Sequence, residues 1–377
     1  MKVAIVHDWL DKYAGSERVL EQIVDLFPEA DLFSLVDFLE DRKFIKNKKV
    51  HTSFIQKLPF AKKKFRYYLF LFPLAIESFD LFNYDLIISS SHCLAKSVKK
   101  RKNQMHISYI HTPARYVWDL RSQYLEETGL NKGLKKHIVN LILDYIKNYD
   151  LKTVNRIDYV IASSYYIKQR IKRCYNLDAH VIYPPVDVNK FSLNEKKEEF
   201  YLTVSRLEPY KKVSLIVEAF NRMLDKKLVV IGDGSEMGKI KKIAGKNVEI
   251  LGFQPDSIVK KYIESAKAFI FAAEEDFGIV LVEAQSAGTP VVAFRKGGAT
   301  ETVLEGITGV FFDFQTPESI VEGVKKLDQI YDTLDFKKIR EHSLQFSVER
   351  FRKEFFDFIN KILEKHQLNL FRNHPQI

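Results

Sequence analysis

Residues 272–290 read AAEEDFGIVLVEAQSAGTP, and this stretch decides the fold. The apolar end of a strand leads into an acidic loop, a helix follows the glycine at 278, and Thr289-Pro290 open the next strand. Strand, loop, helix and strand in that order build a parallel α/β sheet. Glu275 falls in the loop, and Glu283 lies about two turns along the helix. Because ligands bind beyond the carboxyl ends of parallel strands, both carboxylates are candidates to hold the hydroxyl groups of a bound molecule.

The same alternation of strand-like and helix-like runs extends outward over the rest of the chain, beginning at Val3–Val6. Consecutive prolines at Pro184-Pro185 cannot donate ladder hydrogen bonds and form a stiff connector. We therefore expect two Rossmann-like, doubly wound α/β domains that face each other across a cleft. The predicted domains are residues 1–187 and 188–347, and the predicted helix in residues 348–377 returns to the first domain.

Composition excludes several classes of protein. The chain has 377 residues, 46% of them hydrophobic, with 15 Gly and 11 Pro, so it is neither collagen-like nor low-complexity. Its longest apolar runs reach about ten residues, roughly half of a membrane-spanning helix. The N-terminal segment has no features of a secretion signal. Cys93 and Cys174 form neither a disulfide framework nor a metal-ligand spacing, which favours the reducing cytoplasm.

Positive charge is concentrated in one segment. Residues 42–66 contain ten Lys and Arg and no Asp or Glu, which equals the net charge of +10 for the whole chain. The aromatic and apolar residues 67–72, YYLFLF, follow directly. This pattern is typical of a solvated face beside a core helix, or of a surface that meets anionic lipid or a lipid-diphosphate substrate. A nucleic-acid partner is disfavoured because no helix-turn-helix, finger or RNA-binding signature accompanies it. We expect a cytoplasmic protein that is peripheral at the inner face of the cell membrane.

Two loops have the composition of phosphate-binding loops. Gly15 precedes a helix whose N-terminus would present backbone N–H groups. Arg206 and Lys211 follow the first strand of the second domain, where their charges would meet phosphate oxygens. Taken alone, the first pattern is more often a plain loop, and the second is as often a solvated turn. The amide groups of Phe277, Gly278 and Ile279 would bind an anion at a third helix start.

Together these elements resemble the retaining family 4 glycosyltransferases, whose hallmark E-x7-E is matched by Glu275 and Glu283. The loop at residues 14–17, the Arg206 to Lys211 spacing, and residues 232–234 and 297–301 follow in the family's order. The resemblance implies a GT-B fold with the acceptor in the first domain and a nucleotide sugar held by the second. The catalytic residues that it implies are Glu275, His111, Arg206 and Lys211. The donor-binding residues that it implies are Gly15, Arg206, Lys211, Phe253, Phe277, Gly278, Ile279 and Glu283.

The first domain is similar to bacterial mannosyltransferase-like enzymes of surface-polysaccharide assembly. The similarity lies in residues 6–10, 75–79, 89–92 and 111–119, VHDWL, AIESF, SSSH and HTPARYVWD. It implies that His111 reaches the donor sugar, that the donor is GDP-mannose and that a lipid-linked saccharide is the acceptor. Arg115, Tyr116 and Trp118 are the acceptor-side candidates. One departure is Ala14, where family members often have glycine, and its added methyl group narrows the approach of this loop to the donor phosphates.

The mechanism that the resemblance implies needs neither cofactor nor metal. The sequence has no Asp-x-Asp pattern of the kind that metal-dependent transferases use, so Arg206 and Lys211 would neutralise the departing diphosphate. Three alternatives stay open. The donor is a UDP- or ADP-sugar, the protein is a nucleotide-sugar epimerase of the same fold, or it is a non-catalytic subunit of a glycosyltransferase complex. The epimerase and the non-catalytic subunit are disfavoured because the sequence has all four expected site residues, Arg206, Lys211, Glu275 and Glu283.

Overall fold

The structure is a computed structural model that describes residues 1–118, 121, 125 and 132–367. The chain divides into two compact units, Met1–Pro184 together with the chain from Phe351 onward, and Pro185–Arg350. Each unit is one parallel sheet with helices on both faces, which confirms the expected α/β class.

The first sheet is fully parallel, with strand order β3-β2-β1-β4-β5-β6-β7. Its strands are β1 (Val3–His7), β2 (Asp31–Ser34), β3 (Val50–Thr52), β4 (Leu86–Ser91), β5 (Met105–Ile110), β6 (Tyr159–Ala162) and β7 (His180–Val181). Its α-helices are α1 (Gly15–Leu26), α2 (Ala61–Lys64), α3 (Phe72–Glu77), α4 (Gly133–Thr153) and α5 (Tyr165–Tyr175). Single 3-10 segments lie at Lys43–Ile45, Phe54–Lys57, Phe65–Leu71, Ala95–Ser97 and Val154–Arg156.

The second sheet is also parallel, with strand order β10-β9-β8-β11-β12-β13. Its strands are β8 (Glu198–Val204), β9 (Lys227–Ile231), β10 (Val248–Gly252), β11 (Ala266–Phe271), β12 (Val291–Phe294) and β13 (Gly309–Phe312). Its α-helices are α6 (Val213–Phe220), α7 (Met237–Ile243), α8 (Asp256–Ser265), α9 (Ile279–Ser286), α10 (Ala299–Thr302), α11 (Pro317–Ile330) and α12 (Phe336–Leu344). Its 3-10 segments are Val188–Lys190, Pro209–Lys211 and Tyr331–Thr333.

The last helix, α13 (Val348–Lys365), packs on the first sheet. Its apolar residues repeat at helical spacing, and Phe351, Phe355 and Ile359 are fully buried in the cluster that contains Ile5 of β1. Burial of side chains of this size stabilises by about 1.5–3 kcal/mol each. The expected return of the final helix to the first domain is therefore confirmed.

Strand alternation explains why both faces of each sheet are covered. In β1, Ile5 belongs to the cluster with α1 and α13, whereas Ala4 and Val6 belong to the cluster with α3 and α4 on the opposite face. In β9, Val230 packs with α6 and α11, and Val229 packs with α9. The near-continuous apolar strands that the sequence shows are what a sheet buried on both faces requires.

No described helix is long and apolar enough to span a bilayer. Cys93 and Cys174 are both buried thiols.

Candidate active site

An ion pair lies at the carboxyl ends of two neighbouring strands of the second sheet. Lys211 ends the 3-10 turn after β8, and Glu275 lies in the loop after β11. The Lys211 Nζ contacts the Glu275 Oε1, and each side chain is 17% exposed. Because both groups are largely withdrawn from water, salt screens this pair less than a surface pair. The structure thus joins two of the predicted catalytic residues, which are far apart in the sequence.

Tyr210 holds the second predicted cation beside this pair. The Arg206 Nη2 donates to the Tyr210 hydroxyl at 2.7 Å, and the Lys211 Nζ lies 5.4 Å from the centroid of the Tyr210 ring. Arg206 itself is exposed. An exposed guanidinium can bind a phosphate through two parallel N–H donors without first leaving a buried partner.

The glycine-rich loop after β9 supports the loop that carries Arg206. Gly232 has φ of +142°, and a Cβ there would lie 1.8 Å from the Ser205 carbonyl oxygen. The Leu207 N–H donates to the Asp233 carbonyl at 2.9 Å. Only glycine permits this approach of the two backbones, so residues 232–234 act here as a support for the Arg206 loop.

A second close backbone approach fixes the loop that carries Glu275. The Gly298 N–H donates to the Glu275 carbonyl at 2.8 Å. A Cβ on Gly298 would lie 2.2 Å from the Cα of Phe277, so any larger residue would displace this loop. The Phe277 ring packs against Phe346, with ring centroids 5.5 Å apart.

The remaining predicted donor-binding residues lie at ends of elements. Gly278 is the N-cap of α9, Ile279 is its first residue, and Glu283 is half-buried in its second turn. Phe253, directly after β10, is 79% exposed. Gly15 is the exposed first residue of α1. Their roles toward a donor stay predictions.

In the first unit, a buried carboxylate organises the loop after β4. Asp8 is fully buried, and its two oxygens accept the backbone N–H groups of four consecutive residues, His92 to Ala95, at 2.6, 2.8, 2.7 and 2.6 Å. Burial alone would raise the pKa of Asp8, but the neighbouring His92 and His7 and these N–H groups bring it below its ordinary value. The ionised carboxylate therefore holds this loop in one conformation.

Three histidines gather at the same end of the first sheet. The His92 ring centroid lies 5.8 Å from that of His7 and 6.2 Å from that of His111. Ser90 Oγ is 3.1 Å from His7 Nδ1 and 2.8 Å from His111 Nε2. Burial, followed by the neighbouring histidines, lowers the pKa of His111 to about 3, so its imidazole is neutral at physiological pH.

Glu17 completes this cluster from α1. Its Oε1 lies 3.2 Å from His7 Nε2, and its Oε2 accepts the Ala14 N–H at 2.9 Å. Burial would raise the pKa of Glu17, but the interaction with His7, the hydrogen bond first, lowers it to about 2. Glu17 is therefore an ionised, buried carboxylate at the helix start.

Sequence reasoning selected His111 alone from this cluster and gave no role to Asp8, His7, Ser90 or Glu17. A usable signal was the position of His7, Ser90 and His111, which lie at the carboxyl ends of β1 and β4 and directly after β5. These strands are adjacent in the order β1-β4-β5, which brings their carboxyl ends together.

The three acceptor-side candidates differ in what they contact. The Trp118 Nε1 donates to Asp150 Oδ2 at 3.1 Å, and the Tyr116 hydroxyl lies 2.8 Å from Cys93 Sγ. Both polar tips are thus engaged inside the first unit. Arg115 is half-buried. Contact of any of them with an acceptor stays a prediction.

Within the part of the chain that the structure describes, no three Asp, Glu, His or Cys side chains group as metal ligands would.

Two family models match the chain in succession. The model for Glycosyltransferase Family 4 matches residues 13–190, and the model for Glycosyl transferases group 1 matches residues 186–333. Each of two successive segments of the chain thus matches a glycosyltransferase domain family. The matches confirm the expected transferase class, and the ion pair of Lys211 and Glu275 lies inside the second domain.

Curated relatives and solved structures agree with these matches. An uncharacterised glycosyltransferase of Methanocaldococcus jannaschii is 29% identical over 201 residues, 51% of this chain and 56% of that protein. An alpha-1,3/1,6-mannosyltransferase of Neurospora crassa is 34% identical over 104 residues, 27% of this chain and 21% of that protein. The matched stretches thus span about half, or less, of these relatives. An Anabaena protein solved with UDP-glucose has a TM-score of 0.67 at 17% identity, covering 96% of this chain and 100% of that one.

This structural likeness shows that the chain has the GT-B fold, as expected.

Proposed function

We propose that the protein is a retaining, metal-independent glycosyltransferase that moves a hexose from a nucleotide sugar to a lipid-linked saccharide. The observation that carries the proposal is the Lys211–Glu275 ion pair at the carboxyl ends of β8 and β11. A cation and a carboxylate joined at this edge of the sheet match the two ends of a nucleotide sugar, the diphosphate and the hydroxyl-bearing ring.

Binding of the donor would separate the two partners of this ion pair. A diphosphate has more negative charge than one carboxylate, so it competes for the Lys211 ammonium. Glu275 is then free to accept hydrogen bonds from sugar hydroxyls. Arg206 adds a second cation, and the backbone N–H groups at the start of α9 add partial positive charge. These groups neutralise the leaving diphosphate in place of a divalent ion.

The proposed reaction retains the configuration at the anomeric carbon. The bond from this carbon to the diphosphate oxygen breaks, and the acceptor oxygen forms its new bond on the same face. The acceptor hydroxyl gives its proton to the departing phosphate oxygen, so atoms and charge balance without a covalent enzyme intermediate. This course rests on the family resemblance.

GDP-mannose is our proposed donor, and surface-polysaccharide assembly is the proposed process. The subgroup resemblance of the first domain and the similarity to the Neurospora mannosyltransferase support it. The alternative, a UDP- or ADP-sugar, is supported for UDP by the Anabaena structure with UDP-glucose. A non-catalytic subunit is a second alternative.

Calorimetry with GDP, UDP and ADP in excess EDTA tests the donor. We expect GDP, and then GDP-mannose, to bind selectively without metal. Selective binding of UDP or ADP would keep the transferase but replace the mannose donor. If none of the three bound, the non-catalytic alternative would replace the proposal.

We further propose that an aromatic basic segment, residues 54–74, holds the protein on anionic lipid. Within it Phe60 is 78% exposed, Tyr67 75% and Leu74 59%. Lys62, Lys63 and Lys64 are exposed beside them. Other cations of the original run are engaged: Arg42, Lys46 and Arg66 form ion pairs with Asp37, Asp25 and Asp11. Exposed aromatics among lysines suit the interface of an anionic membrane.

Sedimentation with phosphatidylserine-containing vesicles at low salt tests this surface. Changing Lys62, Lys63 and Lys64 to alanine should weaken binding by about a hundredfold, since each lysine near such a surface contributes about 1 kcal/mol. The matched control changes Lys241, Lys242 and Lys246, which are equally exposed but belong to the second unit. Equal sedimentation of the two variants, or none by the wild type, would contradict the membrane proposal.

A further inference from the structure

A series of four hydrogen-bonded side chains connects the Glu17 carboxylate on α1 to the ring of His111. It runs from Glu17 to His7 at 3.2 Å, from His7 to Ser90 at 3.1 Å and from Ser90 to His111 at 2.8 Å. Glu17 is 3% exposed, and His7 and Ser90 are fully buried. The chain is therefore shielded from water along most of its length.

The direction of each hydrogen bond follows from the first one and from the number of protons on His7. Glu17 Oε1 accepts from the Ser16 hydroxyl at 3.0 Å as well as facing His7 Nε2. An ionised carboxylate can only accept, so His7 Nε2 must carry a proton. If Nε2 carries the only proton of His7, its Nδ1 has the lone pair, and the Ser90 hydroxyl donates to Nδ1.

The same counting of protons determines which ring nitrogen of His111 is protonated. The Ser90 hydroxyl has one proton, and it is used toward His7, so the Ser90 oxygen accepts from His111 Nε2. A neutral His111 with its proton on Nε2 has a lone pair on Nδ1. Among the described residues no hydrogen bond reaches that atom.

We propose that His7 carries a single proton, on Nε2, and that Glu17, His7 and Ser90 are positioning residues that fix the His111 proton on Nε2 and present Nδ1 as an acceptor for a sugar hydroxyl. The part that concerns the sugar rests on the proposed function. Histidine in this form cannot act as an acid at Nδ1; it orients a hydroxyl by accepting its hydrogen bond.

Ser89, the residue before Ser90 on β4, provides a matched control. Ser89 is also buried on β4 and also bonds a histidine, since its Oγ lies 2.8 Å from His106 Nε2. Side chains of successive strand residues point to opposite faces, so Ser89 does not take part in the His111 chain. Ser89→Ala and Ser90→Ala therefore remove the same group beside two different histidines.

Nitrogen-15 NMR of histidine-labelled, ligand-free protein tests the proposal, with His111 assigned by its loss in His111→Gln. We expect the wild type to show neutral His111 with the proton on Nε2. Ser90→Ala should lose this single tautomer, whereas Ser89→Ala should keep it and perturb only His106. With a nucleotide sugar that the wild-type protein uses as a substrate, Ser90→Ala should lower kcat about fivefold. This is the effect of losing one neutral hydrogen bond.

A wild-type His111 protonated on Nδ1 or on both nitrogens would overturn the proposal, and so would an unchanged tautomer in Ser90→Ala. The wild-type spectrum alone tests which nitrogen of His111 is protonated, even if Ser90→Ala does not fold. Because the spectra need no ligand, they are independent of the proposed function. Failure of every nucleotide to bind would remove the transferase while leaving the tautomer result intact.

Discussion

Lys211→Ala should lower the rate of glycosyl transfer by about a thousandfold, because loss of one preorganised group that stabilises transition-state charge costs about 10²- to 10³-fold. The variant removes the cation that meets the leaving diphosphate and leaves Glu275 without its ion-pair partner. Release of nucleoside diphosphate from the nucleotide sugar measures the effect. Glu275→Gln should show a loss of similar size, since the amide keeps the shape of the side chain and removes the charge.

Lys226→Ala is the matched control for Lys211→Ala. Lys226 also pairs with a carboxylate in the second unit, Asp328 at 2.6 Å, and is 20% exposed. It directly precedes β9, whereas Lys211 lies beyond the carboxyl end of β8. Its loss should leave turnover near that of the wild type. If Lys211→Ala kept a third or more of wild-type turnover, the assignment of Lys211 would be wrong.

Asp150→Ala should destabilise the first unit by about 3–5 kcal/mol, the typical cost of removing one partner from a buried ion pair. Asp150 pairs with Lys96 at 2.7 Å, and each side chain is 1% exposed. The Tyr175 hydroxyl donates to Asp150 Oδ2 at 2.6 Å, and the Trp118 indole donates to the same oxygen at 3.1 Å. Burial, and then the charge of Asp150, raises the pKa of Tyr175, so Tyr175 remains a donor. The variant leaves a buried ammonium without its counter-charge.

Urea unfolding followed by tryptophan fluorescence measures this loss, because both tryptophans, Trp9 and Trp118, belong to the first unit. The control is Asp178→Ala, which removes an exposed pair with Lys172 and should cost below about 1 kcal/mol. The double variant Lys96→Met, Asp150→Leu should lose less than Asp150→Ala, since no unpaired charge is left. A loss below about 1 kcal/mol for Asp150→Ala would show that the pair does not stabilise the unit.

The sequence predicts the elements of this fold where an apolar run is long enough to be read. The run expected at Val3–Val6 is strand β1 (Val3–His7), and the final helix begins at Val348, the first residue of its expected range. Strands β2 and β3 were not expected. They have four and three residues, and β3 lies within the basic run. Such short strands are held by hydrogen bonds to their neighbours rather than by a pattern of their own, so their sequence has little signal.

The sequence predicts which residues form the candidate site, but it does not predict which of them contact each other. Spacing within each loop selects Lys211 and Glu275, but their meeting depends on β8 and β11 being neighbours, which follows from strand order. The chain from Glu17 to His111 likewise depends on the order β1-β4-β5. Histidines and serines at strand ends have no local periodicity, and only the folded sheet makes them partners.

Donor breakdown in excess EDTA tests the proposed transferase most directly, because water can replace the acceptor. The purified protein is incubated with GDP-mannose and with UDP-glucose, and phosphorus and proton NMR follow the nucleoside diphosphate and the first-formed hexose anomer. We expect diphosphate release at a rate that added Mg²⁺ does not change, with the hexose first formed in the anomeric configuration of the donor. Release only after Mg²⁺ is added, or a first-formed hexose of inverted configuration, would contradict the metal-independent, retaining transfer proposed here.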